Sequence, residues 1–338
     1  MAVQQTGGEA QQDAEVRELA ERLAGGDLRA VARAISLVED GTPLGWGLLD
    51  RLYPRTGRAQ RLGVTGPPGS GKSTLVNALA QTLRERGERV AILAVDPTSP
   101  FSGGAILGDR VRMTAATRDP DLFVRSMASR GNLGGVSSAT YEASEILEAA
   151  GYDRILIETV GVGQSELEIV ELADTVALVL VPESGDAVQV MKAGIMEVAD
   201  LFVINKYDRE GGDRLVRELQ LAMELSDWRR GGAWAPPICT TVATRGEGVR
   251  EALDAAERHF AHLRGEHQRL TQVRAQKMQR RLRMLLNRVL LRHAWRDARI
   301  EDQLEAALAR IAAREISPYR WVQEVLQSWR RQGEEQDG

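Results

Sequence analysis

The sequence contains very little cysteine and no long apolar run. Cys239 is the single cysteine in 338 residues, so the chain can form neither an internal disulfide nor a C-x-x-C metal or redox pair. The longest apolar run, Thr175 to Val181, ends at Pro182. It has the length of a strand and falls far short of the eighteen or so residues that a membrane-spanning helix needs. We therefore expect a soluble protein of the cytoplasm.

The chain also lacks a strong excess of charge of either sign. Its 44 Lys and Arg residues nearly balance its 48 Asp and Glu residues, and the net charge is -4. Because there is no overall basic field to attract polyanions, we expect no nucleic acid and no membrane among its partners. A protein partner is the expectation that remains.

Short apolar runs alternate with stretches of helical periodicity through the middle of the chain. The predicted strands are Arg61 to Thr65, Val90 to Val95, Leu122 to Met127, Ile155 to Ile157, Thr175 to Val181, Leu201 to Ile204 and Ile238 to Val242. This alternation predicts an α/β fold, with a mainly parallel sheet flanked by helices.

Polar or helical segments flank this predicted α/β domain, which spans residues 59–264. Residues 1–13 are polar and are predicted to form a disordered lead, and residues 14–58 a helical extension. That extension is expected to break at Gly25-Gly26 and at Gly41-Thr42-Pro43.

Residues 265–338 are predicted to form a C-terminal helical arm that begins at a break near Gly265. In this arm an apolar stripe that includes Met278, Leu282, Leu285 and Val289 alternates with arginine and lysine residues. Because helices outside a core usually bury such a stripe against a partner, we expect dimerisation or docking here. The alternative is that the basic face binds a polyanion.

The most informative motif is a phosphate-binding loop. It follows the first predicted strand and leads into a helical pattern, which is the context that G-x-x-x-x-G-K-[ST] requires. Its residues are Gly66, Pro67, Pro68, Gly69, Ser70, Gly71, Lys72, Ser73 and Thr74. Backbone N–H groups and a helix N-terminus surround the phosphates in such a loop. Lys72 is expected to reach the β- and γ-phosphates and Ser73 to hold Mg²⁺, so the chain should bind a nucleoside triphosphate.

A second motif, Asn205-Lys206-Tyr207-Asp208, directly follows the predicted strand Leu201 to Ile204 and matches N-K-x-D. A carboxylate at Asp208 can accept hydrogen bonds from both N1–H and the 2-amino group of guanine, whereas adenine does not present this donor pair. Lys206 is expected to lie over the base, and Asn205 to tie this loop to the phosphate-binding loop. The motif therefore predicts GTP and GDP rather than ATP as ligands.

Between these motifs, Glu158-Thr159-Val160-Gly161 follows the strand Ile155 to Ile157. Nucleotide hydrolases place an acidic group near Mg²⁺ at this point, followed by a glycine whose N–H meets the γ-phosphate. Glu158 is longer than the usual Asp, so we expect it to act through a metal-bound water. The alternative is an ordinary glutamate at the end of a strand.

Three further charged residues are candidates for the catalytic site. Asp96 ends the strand Val90 to Val95, and Asp109 lies in a nearby glycine-rich segment. Their carboxylates can gather around Mg²⁺ and the attacking water. Lys192 lies beyond a third candidate loop that begins at Pro182. Solvated loop aspartates and an exposed helix lysine are the respective alternatives.

The histidines His259, His262 and His267 cluster near the start of the arm. The spacing of the first two permits a metal pair. Without cysteine or closely spaced carboxylates, we interpret all three as surface histidines.

Taken together, these segments closely resemble the MeaB/ArgK family of P-loop GTPases. The resemblance covers the chain from about Leu28 into the C-terminal arm and is most specific in two of the strings. The segments that carry it are Gly66 to Thr74, Asp96-Pro97-Thr98-Ser99-Pro100, Gly103 to Arg110, Glu158-Thr159-Val160-Gly161-Val162-Gly163-Gln164-Ser165-Glu166 and Asn205 to Asp208.

The resemblance implies a homodimeric GTPase that serves as a chaperone of an adenosylcobalamin-dependent acyl-CoA mutase. Such a protein gates cofactor loading and protects the mutase from inactivation. By the same resemblance, Asp96, Asp109 and Glu158 build the shell of Mg²⁺ and water, and Lys192 belongs to a loop that responds to the mutase. Hydrolysis is expected to be slow without that partner.

One segment departs from the family pattern. The chain has Thr241-Val242-Ala243 where the family usually has Ser-Ala beside the base. Val242 removes a hydroxyl, whereas the backbone of Ala243 keeps its contact, so we expect somewhat weaker guanine binding with unchanged selectivity. Two rival functions share the core motifs: a GTPase of the nickel-insertion type, which ordinarily carries a Cys/His cluster, and a small-molecule kinase.

Overall fold

The structure is a computed structural model that describes residues 2–96, 119–128, 135–159, 165–182, 199–225, 234–265, 269–297 and 300–336. The chain divides into two compact units, Met1–Arg274 and Ala275–Gly338. The first unit carries the phosphate-binding loop and the N-K-x-D motif.

A seven-stranded sheet runs through the described part of the first unit. Its strands are β1 Gln60–Thr65, β2 Val90–Asp96, β3 Leu122–Ala128, β4 Arg154–Thr159, β5 Thr175–Leu180, β6 Leu201–Asn205 and β7 Ile238–Thr241. The strand order is β3-β2-β4-β1-β5-β6-β7, and every neighbouring pair is parallel. All seven predicted strands and the parallel α/β fold are confirmed.

Helices cover both faces of the sheet. Those of the first unit are α1 Ala2–Ala24, α2 Leu28–Glu39, α3 Pro43–Leu52, α4 Lys72–Glu85, α5 Gly135–Ala149, α6 Ser165–Leu172, α7 Gly212–Leu225 and α8 Val249–Gly265. One core cluster joins α1, α2 and α3 to α5, α6 and one side of the strands. A second cluster joins α4 and α8 to the other side. The central strands β4 and β5 are almost entirely buried, as expected of parallel strands with helices on both faces.

The N-terminal helices begin at the predicted breaks. The Asp27 carboxylate accepts hydrogen bonds from the N–H groups of Arg29 and Ala30 and caps α2. The Thr42 hydroxyl caps α3, which has Pro43 in its first turn. Before them, α1 already begins at Ala2, whereas the sequence predicts a disordered lead over residues 1–13. Residues 1–13 contain four Gln and two Ala, which favour helix, so a polar segment need not be disordered.

In its described residues, the second unit contains helices and no strand. The long helix α9 Arg269–Asp297 begins in the first unit and continues into the second, where it is followed by α10 Ile300–Ala312 and α11 Pro318–Gln336. The unit boundary lies after Arg274 rather than at residue 264. The side chain of Arg274 is bound within the first unit: it makes hydrogen bonds of 2.9 and 2.8 Å to the two oxygens of Asp174 and also donates to the carbonyls of Gly57 and Ala59.

Among the described residues, no helix has the length and apolar composition needed to span a bilayer.

Candidate functional site

The sheet topology brings the predicted nucleotide motifs to one edge. The phosphate-binding loop follows β1, Glu158 lies near the end of β4, and Asn205 and Thr241 end β6 and β7. In a parallel sheet these carboxyl ends lie on the same side. The strand β1 lies between β4 and β5. Strands β2 to β4 lie on one side of β1 in the sheet and strands β5 to β7 on the other, so the loop after β1 lies where the strand order reverses. This is where open α/β sheets bind ligands.

Two glycines allow the phosphate-binding loop to pack closely. Gly66 has φ +141°, and a Cβ there would lie 2.1 Å from the carbonyl oxygen of Val179. Gly71 has φ +86°, and a Cβ there would lie 2.4 Å from the side-chain nitrogen of Asn205. Gly71 is also the N-cap of α4 and provides no side-chain cap. No side chain of the N-cap residue therefore blocks the approach of an anion to this end of α4, where the helix dipole favours negative charge.

The side chain of Lys72 lies inside the loop that it is predicted to serve. Its residue is 6% exposed, and its ammonium donates hydrogen bonds of 2.7 and 3.0 Å to the carbonyls of Gly66 and Pro67. The ammonium thus points into the loop at the N-terminus of α4. A phosphate in the loop would meet this charge together with the backbone N–H groups.

Ser73 and Glu158 meet beside Lys72. The Ser73 hydroxyl donates a hydrogen bond to Oε1 of Glu158, whose residue is 4% exposed. One residue on, the hydroxyl of Thr159 bonds that of Thr65 at 2.9 Å and joins the ends of β4 and β1. A hydroxyl and a carboxylate are the hard oxygen donors that Mg²⁺ prefers. The pair Ser73 and Glu158 therefore fits the magnesium site that the sequence predicts.

Asn205 connects the base-side motif to the phosphate-binding loop, as predicted. Its side-chain amide donates to the carbonyl of Ser70 at 2.9 Å. Its amide oxygen accepts from the Thr241 hydroxyl at 3.1 Å and from the N–H of Ala243 at 3.2 Å. Asn205 is 2% exposed. One buried amide thus fixes three segments that converge on the nucleotide site: the loop after β1, the end of β6 and the end of β7.

The rest of the N-K-x-D motif is more exposed. Lys206 adopts a left-handed backbone with φ 55°, and its ammonium donates to the carbonyl of Gly69 at 2.8 Å. The stem of this lysine therefore extends toward the phosphate-binding loop. Its predicted position over the base remains a prediction. The Tyr207 hydroxyl donates to Asp213, and this hydrogen bond raises the pKa of the phenol.

An arginine that sequence analysis did not identify lies at the base-side motif. Nη2 of Arg245 lies 2.9 Å from Oδ2 of Asp208, the carboxylate predicted to recognise guanine. Nε of the same arginine lies 3.6 Å from Glu247. Arg245 is remote in sequence from N-K-x-D and belongs to no nucleotide motif. The departure from the family pattern at Thr241-Val242-Ala243 marks this segment in the sequence, but it does not identify the arginine.

Several predicted site residues lie outside the described part of the chain. These are Asp109, Gly161 and Lys192. Asp96 is the last residue of β2, which places its backbone at the same edge of the sheet, but its side chain is outside the described residues. Their proposed roles remain predictions.

One of the predicted surface histidines is buried. His259 is 4% exposed, and its ring bonds the Thr175 hydroxyl at 3.0 Å and lies 3.3 Å from Asp200. The rings of His259 and His262 both contact Trp234. The surface interpretation of His259 is therefore wrong, because polar partners at the starts of β5 and β6 satisfy the ring inside the protein. His267 lies outside the described residues.

The parallel sheet, the glycine-shaped phosphate-binding loop and the N-K-x-D loop joined to it define a P-loop GTPase. The family model described as "Methylmalonyl Co-A mutase-associated GTPase MeaB" matches residues 31–299. The chain belongs to this MeaB family of GTPases.

Relatives and a solved structure agree with this family. A putative GTPase of Pyrococcus abyssi is 44% identical over 314 residues, which cover 92% of this chain and 96% of the relative. The methylmalonic aciduria type A homolog, a mitochondrial protein of Mus musculus, is 44% identical over 205 residues, or 60% of this chain and 49% of the relative. The crystal structure of an LAO/AO transport system kinase superposes with a TM-score of 0.68 at 30% identity, and the match covers 93% of this chain and 97% of that one.

Proposed function

We propose that this GTPase is a chaperone of an adenosylcobalamin-dependent acyl-CoA mutase of the methylmalonyl-CoA mutase type. In this role it gates cofactor loading and protects or reactivates the mutase. The observation that carries the proposal is the match of residues 31–299 to a family described as methylmalonyl-CoA mutase-associated. The mouse relative, named for methylmalonic aciduria, supports the same direction.

The phosphate side of the site supports Mg²⁺-dependent hydrolysis of GTP. Lys72 holds its ammonium where the β- and γ-phosphates would lie, and this charge offsets the negative charge that develops as the γ-phosphoryl group departs. Ser73 and Glu158 would hold Mg²⁺, directly or through a water, and the ion would neutralise charge on the phosphate oxygens. Asp96 and Asp109 complete this shell in the proposal.

The base side supports selection of guanine. Asp208 lies two residues after Lys206, whose ammonium reaches Gly69 of the phosphate-binding loop. In the proposal, the Asp208 carboxylate accepts hydrogen bonds from N1–H and the 2-amino group of guanine. The N–H of Ala243 donates to Asn205. We propose that Ala243 and its neighbour Val242 also lie beside the base. GTP and GDP are therefore the proposed ligands.

The partner is proposed to regulate turnover. Asp96 ends β2, whereas Asp109, Gly161 and Lys192 lie outside the described residues. By the family resemblance, the mutase would complete the site through segments such as the one that carries Lys192. By linkage, a mutase that responds to the nucleotide must bind the GTP and GDP forms with different affinities. The expected consequence is slow hydrolysis alone and faster hydrolysis in the complex.

Purified acyl-CoA mutases of the source organism test this proposal. We expect one of them to bind the full-length chain, to raise its kcat for GTP, and to bind with different Kd values in the presence of GDP and of a non-hydrolysable GTP analogue. The Lys72→Ala variant serves as the control for contaminating GTPase. If no acyl-CoA mutase binds with either nucleotide, the chaperone proposal is wrong and the chain remains a GTPase with another client.

The second unit supports a homodimer. Most of the large apolar side chains that are exposed in the described residues lie in this unit, and on α9 they include Leu282, Leu286 and Leu290. These three recur every fourth residue, so they form one stripe along the helix. An exposed apolar stripe of this kind marks an interaction surface. We propose that a second copy of the chain covers it, as the family resemblance implies.

A charge placed in the stripe should dissociate the dimer. Leu286 is 59% exposed and Leu221, on α7 of the first unit, is 58% exposed, so Leu221→Lys is a matched control for Leu286→Lys. We expect light scattering at micromolar concentration to show a dimer for the wild type and for Leu221→Lys, and a monomer for Leu286→Lys. GDP affinity should be the same in all three. A monomeric wild type would contradict the proposed dimer.

A further inference from the structure

We propose that Arg245 is a specificity-determining residue that positions the Asp208 carboxylate for guanine. Its guanidinium holds one oxygen of Asp208, so that both oxygens face the base in a fixed orientation. The inference rests on the proposed role of Asp208 as the reader of guanine and goes beyond it, because it assigns the orientation of the reader to a residue of a different loop.

The backbone that carries Arg245 is well fixed. The short 3-10 helix Ala243–Arg245 follows Val242 and ends at Gly246, which has φ 72°. The N–H of Arg245 donates to the carbonyl of Val242 at 2.9 Å, and the N–H of Val242 donates to the carbonyl of Glu247 at 3.0 Å. The loop after β7 is thus a closed turn. The hydrogen bonds of this turn therefore fix the position of the Arg245 backbone.

Besides the bond of the Thr241 hydroxyl to Asn205, three contacts connect this turn and the end of β7 to the N-K-x-D loop. The N–H of Ala243 donates to Asn205 at 3.2 Å, and the N–H of Tyr207 donates to the carbonyl of Thr241 at 3.1 Å. These two contacts align the ends of β6 and β7. The third is the ion pair of Arg245 and Asp208 at 2.9 Å, and it reaches the carboxylate that would contact the base.

The chemistry of the pair permits it to persist when guanine binds. A carboxylate has two oxygens with two acceptor positions each, so Oδ2 of Asp208 can accept from Arg245 and from a base N–H at the same time. An aspartate carboxylate otherwise rotates over a broad range about its terminal torsion. The guanidinium charge, 2.9 Å from Oδ2, favours one orientation of this carboxylate. Glu247, 3.6 Å from Nε, places a second negative charge beside the arginine.

If Arg245 orients the Asp208 carboxylate, the affinities for two different bases should respond differently to its loss. Guanine offers two donors, N1–H and the 2-amino group, whereas hypoxanthine offers N1–H alone. If Arg245 presents both oxygens of Asp208 correctly, its loss should weaken binding of GDP more than binding of inosine diphosphate. A residue that merely stabilised the fold of the loop would change both affinities by the same factor.

Calorimetric titration of the full chain with GDP and with inosine diphosphate, both with Mg²⁺, tests the inference. For Arg245→Ala we expect the preference for GDP to fall about twofold to fivefold, the range that an exposed ion pair supports. Arg245→Lys should restore only part of it, because an ammonium lacks the planar donor pair. Arg250→Ala removes the same charge from an exposed position at the start of α8, and it should keep the wild-type preference.

Two further measurements distinguish the possible failures. In the Asp208→Asn background, Arg245→Ala should leave the ratio of the two affinities unchanged, because the carboxylate that it positions is gone. A wild type that prefers GDP while Arg245→Ala keeps or raises that preference would overturn the Arg245 inference alone. A wild type that binds GDP and inosine diphosphate equally would overturn this inference together with the proposed role of Asp208.

Discussion

The phosphate end and the base end of the nucleotide site are built in different ways. At the phosphate end the key side chains are buried: Lys72 is 6% and Glu158 4% exposed. At the base end the side chain of Asp208 is 43% exposed and that of Arg245 53%. The phosphate end therefore relies on buried charges close to the backbone, and the base end on charges that water still reaches.

This difference determines how much each residue contributes. Charges act strongly on one another where water is excluded, and exposed pairs are screened by solvent and salt. A substitution at the phosphate end should therefore cost far more than a substitution among the ion pairs at the base end. Backbone geometry also constrains the phosphate end, since Gly66 and Gly71 leave no space for a side chain. At the base end, substitutions of the exposed Asp208 or Arg245 should therefore change the nucleotide preference at a smaller cost.

The largest effect is expected for Lys72→Ala. Removing the buried ammonium should lower kcat for GTP hydrolysis by at least about a hundredfold, the size found when one preorganised charge-stabilising donor is deleted. It should also weaken GTP binding more than GDP binding, because the charge lies at the β/γ bridge. Phosphate-release assays and titrations with GDP and a GTP analogue measure both effects.

Lys277→Ala, which removes a lysine from the second unit, is the matched control and should retain the wild-type kcat. Thermal denaturation should show that Lys72→Ala is folded. Hydrolysis by Lys72→Ala at the wild-type rate would mean that this loop does not bind the reacting phosphates.

Sequence alone predicted the strands of the sheet and the position of the phosphate-binding loop after β1. Strands such as β5 are buried on both faces and are therefore continuous apolar runs, which a sequence shows directly. The phosphate-binding loop is a contiguous motif, so Lys72 and Ser73 could be assigned from spacing, and the link from Asn205 to Ser70 followed from the joint presence of two motifs.

Contacts between distant segments that do not both carry a motif could not be predicted in this way. Arg245 and Asp208 lie in different loops, and nothing in either loop specifies the other as its partner. His259 looked like a surface residue because its partners Thr175 and Asp200 precede it in other elements. Arg274, at the end of the first unit, contacts the buried carboxylate of Asp174, which is a hundred residues earlier in the chain. Burial tends to raise the pKa of Asp174, but the hydrogen bonds from Arg274 hold it below its usual value.

A smaller effect, confined to the base, is expected for Asp208→Asn. An amide at this position replaces one acceptor with a donor, so it loses a hydrogen bond from guanine and can donate to the C2 carbonyl of xanthine. Because hydrogen bonds to a charged acceptor are stronger than neutral ones, GDP affinity should fall about tenfold to a hundredfold, while affinity for xanthosine diphosphate should rise. At saturating xanthosine triphosphate the variant should hydrolyse at close to the wild-type kcat for GTP, since Lys72, Ser73 and Glu158 are unchanged. Calorimetry with both diphosphates and turnover with both triphosphates measure these quantities. Unchanged GDP affinity would show that Asp208 does not read the base, and a collapse of kcat at saturation would show that the two ends of the site are not separable.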